Sequence, residues 1–476
     1  MNVTVTSQDW AAVAPVSIVA VTALVVLFAD LLARKHVNRY AAIAIGIVGV
    51  IAAGYVATQG YRHDYAAFSG AFVLGGFTVV FEEIVLLAAL GSLILYGAIG
   101  DNDRVAGSVA LMLWSTCGGM LMAGAANLMI VFLGLELLSL ALYCLCGLAD
   151  RPTARESALK YLILSSTASG FLLYGMALLF GAAGSVQLSD LTNPALAGNP
   201  LFWMGTALFL VGISFKLSLV PFHSWSPDVY EGAPLPVTAF MSVATKAGTL
   251  AVFARFIYAA LPSGIAEKLL LPVWIIAGIS MIVGNVGMLA QHDLKRLLAY
   301  SGIAQIGYIL TALAGTTALG MRYAIYYLAA YTFMNLGAFA VAALISGNKE
   351  EGSRLSNYVG FGFRHPVAGA FMTFFLLGLA GLPPTAGFLG KILILATSVT
   401  AGYTWLGGLL IVGTAVSLYA YAKVIRAMYR RDEHAHPQDA KPYVPLAWAS
   451  AAVCFVLIIA MTFYPLTPSN VLPLVK

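Results

Sequence analysis

The chain has 476 residues, of which 61% are hydrophobic and only 9% charged, and its formal net charge is +5. So few charges cannot cover a water-soluble surface, which excludes a soluble globular protein and points to a polytopic membrane protein. The modest positive balance gives no basis for nucleic-acid binding.

The opening residues, MNVTVTSQDW, contain no Lys or Arg. The apolar run after them lacks a small-residue cleavage site, so it reads as a retained helix and not a removed signal. Apolar runs of the roughly 20 residues that cross a bilayer fall at 10–33, 40–58, 79–98, 105–123, 127–148, 158–182, 200–224, 236–258, 269–290, 294–314, 319–346, 367–397, 402–425 and 445–465. The expected fold is all-α, with about 14 transmembrane helices. Starting the third run near 79 leaves Glu82 and Glu83 at the membrane interface and 66–78 as a short irregular or hairpin segment.

Charge gives the orientation. With the N-terminus outside, 17 of the 25 Lys and Arg fall on the cytoplasmic side and 5 on the outer side, the rest being Lys216, Lys246 and Lys391. The positive-inside rule then places both termini on the outer side of the membrane. Loops are short, and the longest polar stretch, 430–443, is cytoplasmic.

Two spans are interrupted. In VGISFKLSLVPFHSW, Lys216 precedes Pro221; in GLAGLPPTAGFLGKILIL, Pro383 and Pro384 precede Lys391. Proline removes a helix hydrogen bond and clashes with the preceding turn. Within a membrane such a break is tolerated only against protein or a water-lined cavity. The two breaks lie five helices apart, an odd step, so they enter the membrane in opposite directions. That is the signature of two inverted five-helix repeats, pairing helices four to eight with nine to thirteen. Residues 1–100 then carry the first three helices, 101–260 the first repeat, and 261–430 the second. Residues 431–476 hold a cytoplasmic loop and the last helix.

Ionisable groups in hydrocarbon are costly and read by default as parts of an ion pathway. Glu136 sits mid-helix in NLMIVFLGLELLSLALYCL, with Ser139 and Tyr143 on its face. It is the natural partner for Lys216 or Lys246, since nothing else acidic is expected at that depth; the alternative is an acid hydrogen-bonded for packing. Pro221 frees the carbonyl of Leu217, which is expected to help hold the Lys216 ammonium. Lys246 has Ser242 and Thr249 one turn either side. For Lys216 and Lys391 the alternative is snorkelling, and for Lys246 an interhelical hydrogen bond. Ser301, Gln305 and Tyr308 on one helix, and Tyr327, Tyr331 and Asn335 on the next, form polar stripes between Lys246 and Lys391. They are either water supports or packing polars. His223 titrates near neutral pH and can pass protons or simply fix its loop. Asp228 and Glu231 read as loop contacts, and Lys295 and Arg296 as topology determinants at a cytoplasmic helix end.

The four cysteines, Cys117, Cys144, Cys146 and Cys454, lie in apolar segments and lack zinc or iron–sulfur spacing. They read as buried structural thiols in a chain without metal or redox cofactor.

LGLELLSLALY, KLSLVPFHSWSPDVYEGAPLPVTAF, QHDLKRLLAYSGIAQIGY and GLPPTAGFLGK together resemble the subunit N family of bacterial NADH:quinone oxidoreductase, respiratory complex I. The likeness covers about 105–425, and PDVYEGAP is its most specific element. The resemblance implies a non-redox membrane-arm subunit of a proton-pumping translocase, driven by quinone reduction elsewhere. It implies FMN, iron–sulfur clusters and quinone in partner subunits, and neighbours such as the antiporter-like subunit M and the small subunit K. It assigns a proton relay to Glu136, Lys216, Lys246 and Lys391. Gln305 stands where the family often has histidine, and Leu128 where many members have an acid. The competing readings are a subunit of an Mrp-type cation/proton antiporter and a structural scaffold whose lysines only fix packing.

Burial disfavours a charged lysine and a nearby carboxylate favours it, by about 3–5 pKa units at the extreme. Moving one charge against roughly 180 mV needs about 4 kcal/mol, or about three such units. One lysine that alternately gains and loses a carboxylate neighbour is therefore sufficient.

Overall fold

The computed structural model describes residues 5–33, 38–99, 104–261, 265–346, 353–431 and 445–463. Helices α1 (Ser7–Ala12), α2 (Ala14–Leu32) and α3 (Arg39–Gln59) come first. A short antiparallel hairpin of β1 (Tyr65–Ala67) and β2 (Phe72–Leu74) follows, with Tyr65 opposite Leu74. Next are α4 (Gly76–Ile99), α5 (Val105–Gly124), α6 (Leu128–Gly147), α7 (Pro152–Ala183), α8 (Pro200–Lys216), α9 (Trp225–Gly232) and α10 (Leu235–Arg255). The second half holds α11 (Ile265–Leu289), α12 (Leu294–Ala312), α13 (Ala318–Ser346), α14 (Phe361–Arg364), α15 (Pro366–Ala380), α16 (Ala386–Thr400), α17 (Thr404–Met428) and α18 (Pro445–Phe463).

Local chemistry sets the helix starts. Asn127, Asn199 and Asp293 cap α6, α8 and α12 through side-chain oxygens that accept backbone N–H groups at 2.7, 3.0 and 3.1 Å. This satisfies donors that a helix leaves orphaned. Proline at the first helical position starts α7, α8 and α15, where its missing N–H costs nothing.

Among the described residues, eleven helices are long and apolar enough to cross a bilayer, and α8, α15 and α16 are shorter apolar helices. Together they make an all-helical polytopic membrane fold. Every residue of α10 from Leu235 to Ala254 is buried, and α4, α5, α12 and α13 pack around it. The outer helices turn large apolar side chains outward, among them Leu31, Ile163, Tyr174, Val412 and Val456. Exposed apolar area on that scale suits a lipid-facing surface. Polar residues on α10, α12 and α13 therefore face protein. Where α5 crosses α6, a Cβ on Gly118 would lie 2.5 Å from the carbonyl oxygen of Gly134. Only glycine lets the two backbones approach so closely, the small-residue packing that holds helices together in lipid.

Both interruptions are present as breaks between helices. α8 stops at Lys216, and the chain runs non-helically through a cis Val220–Pro221 bond to α9. The Phe215 carbonyl at that helix end accepts both the Ser218 N–H at 3.0 Å and the Trp225 indole N–H at 2.9 Å. α15 closes at Gly381, with φ +81°, and a cis Pro383–Pro384 bond precedes α16.

The helix packing corrects several expectations. α4 begins at Gly76, directly after the hairpin, and packs between α3, α5, α10 and α13. Glu82 consequently lies fully buried in protein, not at the interface, so Glu136 is not the only deep acid. Cys144 is exposed on the outward face of α6, while Cys117, Cys146 and Cys454 are buried.

Candidate functional site

Lys216 is 2% exposed. Its Nζ donates to Ser139 Oγ on α6 and to Ser165 Oγ on α7, both at 2.6 Å. The rings of Tyr161 and Tyr143 lie 5.1 and 5.7 Å from the ammonium, within cation–π range. Glu136, one turn before Ser139, accepts a short hydrogen bond from Ser169 Oγ. Among the described residues no ion pair joins Glu136 to Lys216. Serines hold each charge instead, Ser139 and Ser165 the lysine and Ser169 the carboxylate. The expected Leu217 carbonyl is not a ligand, because the lysine side chain runs toward the hydroxyls of α6 and α7 and not back over the break.

An aromatic wall separates Lys216 from Lys246. Tyr161 stacks on Trp225 at 4.8 Å, Trp225 meets Tyr230 edge-on at 6.3 Å, and the Tyr230 ring lies 5.7 Å from Lys246 Nζ. The buried hydroxyls of Tyr143 and Tyr161 bond no protein atom.

Lys246 is also buried, in the middle of α10. Its Nζ donates to the Tyr331 hydroxyl at 3.4 Å and lies 5.5 Å from that ring. Tyr331 in turn donates to the Ser242 carbonyl at 3.3 Å, and Asn335 donates a short bond to Ser242 Oγ. A Cβ on Gly302 of α12 would collide with the ammonium and lie 3.1 Å from the Tyr331 oxygen. The absent side chain at Gly302 is what makes room for the lysine head.

Lys391, on α16, donates to the carbonyls of Ala380 at 2.8 Å and Leu379 at 3.3 Å. Both carbonyls belong to the last turn of α15, where no further turn claims them and the helix dipole favours a cation. The Tyr308 ring lies 4.7 Å from the ammonium. Gln305 donates to the same Leu379 carbonyl at 3.0 Å and accepts a short bond from Tyr327. Tyr327 and Tyr331 are one turn apart on α13, so that helix connects the Lys246 and Lys391 clusters.

The remaining candidates divide. Ser301 pairs with the Tyr421 hydroxyl at 2.5 Å, and Tyr308 accepts from Asn285 at 2.8 Å. Thr249 is buried on α10. His223 is half-buried beyond the break, its Nδ1 bonds no protein atom, and its ring lies 6.5 Å from that of Tyr300. Asp228 and Glu231 both accept from Arg296 Nη1, at 2.7 and 2.8 Å. Burial alone would raise the Asp228 carboxyl, but bonds from Arg296 and Lys160 bring it below the usual carboxylate range. Lys295 is not an exposed charge at a helix end. It is 2% exposed and donates to the Ala233 carbonyl at 2.9 Å, because α12 starts beneath the loop that carries Ala233.

Sequence reasoning missed Tyr161, Ser165 and Ser169, which surround Lys216 and Glu136. Their spacing of four along α7 was the available signal. It also missed Tyr421, and the α15 carbonyls carry no side-chain signature. Among the described residues no three His, Cys, Asp or Glu side chains gather as metal ligands.

An all-helical polytopic membrane protein with three buried lysines and two broken helices has the architecture of the antiporter-like membrane subunits. The profile of the family described as NADH:quinone oxidoreductase/Mrp antiporter, TM, matches residues 125–417. NADH-quinone oxidoreductase subunit N 1 of Symbiobacterium thermophilum is 39% identical over 454 residues, covering 92% of each chain. A chain of respiratory complex I from Thermus thermophilus superimposes with a TM-score of 0.82 at 32% identity, covering 95% of this chain and 98% of its own. A chain of the Mrp complex from Dietzia sp. gives a TM-score of 0.83 at 19% identity, covering 98% and 96%, a likeness of fold alone. The chain thus belongs to the NADH:quinone oxidoreductase/Mrp antiporter family, on the branch whose members are named subunit N.

Proposed function

We propose that this chain is a membrane-arm subunit of a proton-pumping NADH:quinone oxidoreductase and moves protons along Glu136, Lys216, Lys246 and Lys391. The observation that carries the reading is the burial of three lysines whose ammonium groups meet only hydroxyls, carbonyls and ring faces. Hydroxyl partners, as at Lys216 and Lys246, can serve an amine both charged and neutral, and no carboxylate pins any of the three ammonium groups in a fixed ion pair among the described residues. The chain itself supplies no redox centre in this reading. Flavin, iron–sulfur and quinone chemistry belong to partner subunits, and neighbours of the M and K type would flank it in a bacterial inner membrane. Fourteen spans, two inverted repeats and external termini complete the proposal, supported by the charge asymmetry and the two broken segments. The Mrp-type alternative predicts sodium-dependent transport without an electron donor; the relative's 39% identity favours the first reading.

Glu136→Gln tests the gating role. It keeps an acceptor for Ser169 but removes the charge, so proton translocation per NADH should fall by about fivefold or more, roughly 1 kcal/mol in the transfer barrier. Wild-type stoichiometry in proteoliposomes would remove Glu136 from the pathway. Gly302→Ala tests the lysine's placement from the opposite helix. The methyl group displaces a flexible side-chain end and not backbone, and alanine favours helix by about 1 kcal/mol over glycine. The complex should therefore assemble and melt normally while translocation drops several-fold. A normal rate would show that the ammonium does not need this position.

A further inference from the structure

A cavity of about 880 Å³ lies between the end of α3 and the starts of α4 and α13, apart from the lysine row. Its volume falls in the range of ~300–1,000 Å³ typical of small-ligand sites. Its chemistry is layered. Arg62 and His63 stand exposed at its mouth, just past α3, with Arg322 in the first turns of α13. At ~1.5 Å per helical residue, Arg322 lies about 6 Å and Glu83 about 10 Å past the starts of their helices. Glu83 is half-buried and one of its oxygens bonds no protein atom. Val80 stands level with Arg322 and Ile325 level with Glu83, and Ile84 and Ala329 continue the apolar wall inward of them. Both α4 and α13 begin at this end of the bundle, so depth increases in the same order on both.

That order of cationic mouth, single carboxyl and apolar floor follows the order of groups in a phospholipid: phosphate, glycerol ester, acyl chain. Guanidinium groups bind phosphate oxygens through paired, charge-assisted hydrogen bonds. A protonated carboxyl at the next level can donate to an ester carbonyl. Basic pockets between membrane helices suit lipid head groups, and a free phosphate would leave the apolar walls unused. We propose that this cavity is a specific site for one phospholipid, its phosphate held by Arg62 and Arg322, its ester beside Glu83 and an acyl chain along Ile84 and Ile325.

The test uses the intact complex in liposomes of equal parts phosphatidylethanolamine and phosphatidylglycerol, with a trace of phosphatidylglycerol carrying a diazirine on its acyl chain. After illumination, label should concentrate on peptides from 76–84 and 322–329. Unlabelled phosphatidylglycerol should compete it away and inorganic phosphate should not. The Arg62→Ala/Arg322→Ala double variant should lower labelling there by about fivefold or more, as expected for losing charge-assisted bonds. Val80→Trp, which fills the wall without touching a charge, should do the same. Label spread evenly over outward-facing α7, displacement by phosphate, or labelling unchanged in Val80→Trp would overturn the assignment. So would an unlabelled cavity, which would mean that a partner subunit fills it.

Discussion

Lys216→Ala should give a complex that assembles with its partners but translocates protons about tenfold or more slowly, a barrier increase of roughly 1.4 kcal/mol at least. Assembly should survive because the ammonium's two ligands, Ser139 and Ser165, are hydroxyls that can turn to other acceptors. Ser139 already donates to the Leu135 carbonyl. What disappears is the one group in this cluster able to hold an extra proton near Glu136. Lys216→Arg separates a carrier from a fixed charge. Guanidinium keeps the charge but does not release its proton at accessible pH, so this variant should fail as badly as alanine. Proteoliposome acidification gives the rate and co-purification of partner subunits the assembly. Full pumping by the arginine variant would sink the carrier role and leave an electrostatic one.

Lys391→Ala should produce a loss of similar size by a different route. The Leu379 carbonyl would keep its bond from Gln305, but the Ala380 carbonyl would lose its lysine partner, a destabilisation of about 1–3 kcal/mol. The variant should therefore melt somewhat earlier as well as pump about tenfold less. A fall in melting temperature with unchanged proton stoichiometry would make Lys391 a helix-end plug, not a station. Lys391→Met distinguishes the two further, since it restores packing without a titratable group. Stability should then partly recover while pumping does not.

The sequence exposed much of this site for a physical reason. A lysine or glutamate in an apolar helix stands out against its neighbours, and a proline there marks a break, so Lys216, Lys246, Lys391 and Glu136 were visible singly. Their ligands were less so. Serines at Ser139 and Ser165 are common in membrane helices, and only the crossing of α6 and α7 makes them partners of one ammonium. The Ala380 and Leu379 carbonyls are invisible to side-chain reading, although the double proline showed that some carbonyl would be freed. Gln305 and the Tyr327–Asn335 stripe were legible as polar faces, and the structure brings them onto Leu379, Ser242 and Lys246. Glu82 was misplaced because three residues of helix start decide whether an acid meets water or protein. Lys295 was misread because a charge at a helix end looks solvated until the neighbouring loop folds over it.

The two outlying lysines keep different company. Hydroxyls around Lys216 can accept from an ammonium and, on rotating, donate to the lone pair of a neutral amine, so both forms are served without moving the backbone. Carbonyls around Lys391 only accept, which leaves a neutral amine's lone pair unanswered. The Lys216 pocket is thus fitted to both forms of the amine and the Lys391 pocket to the charged form alone, which gives the proposed relay two unlike ends.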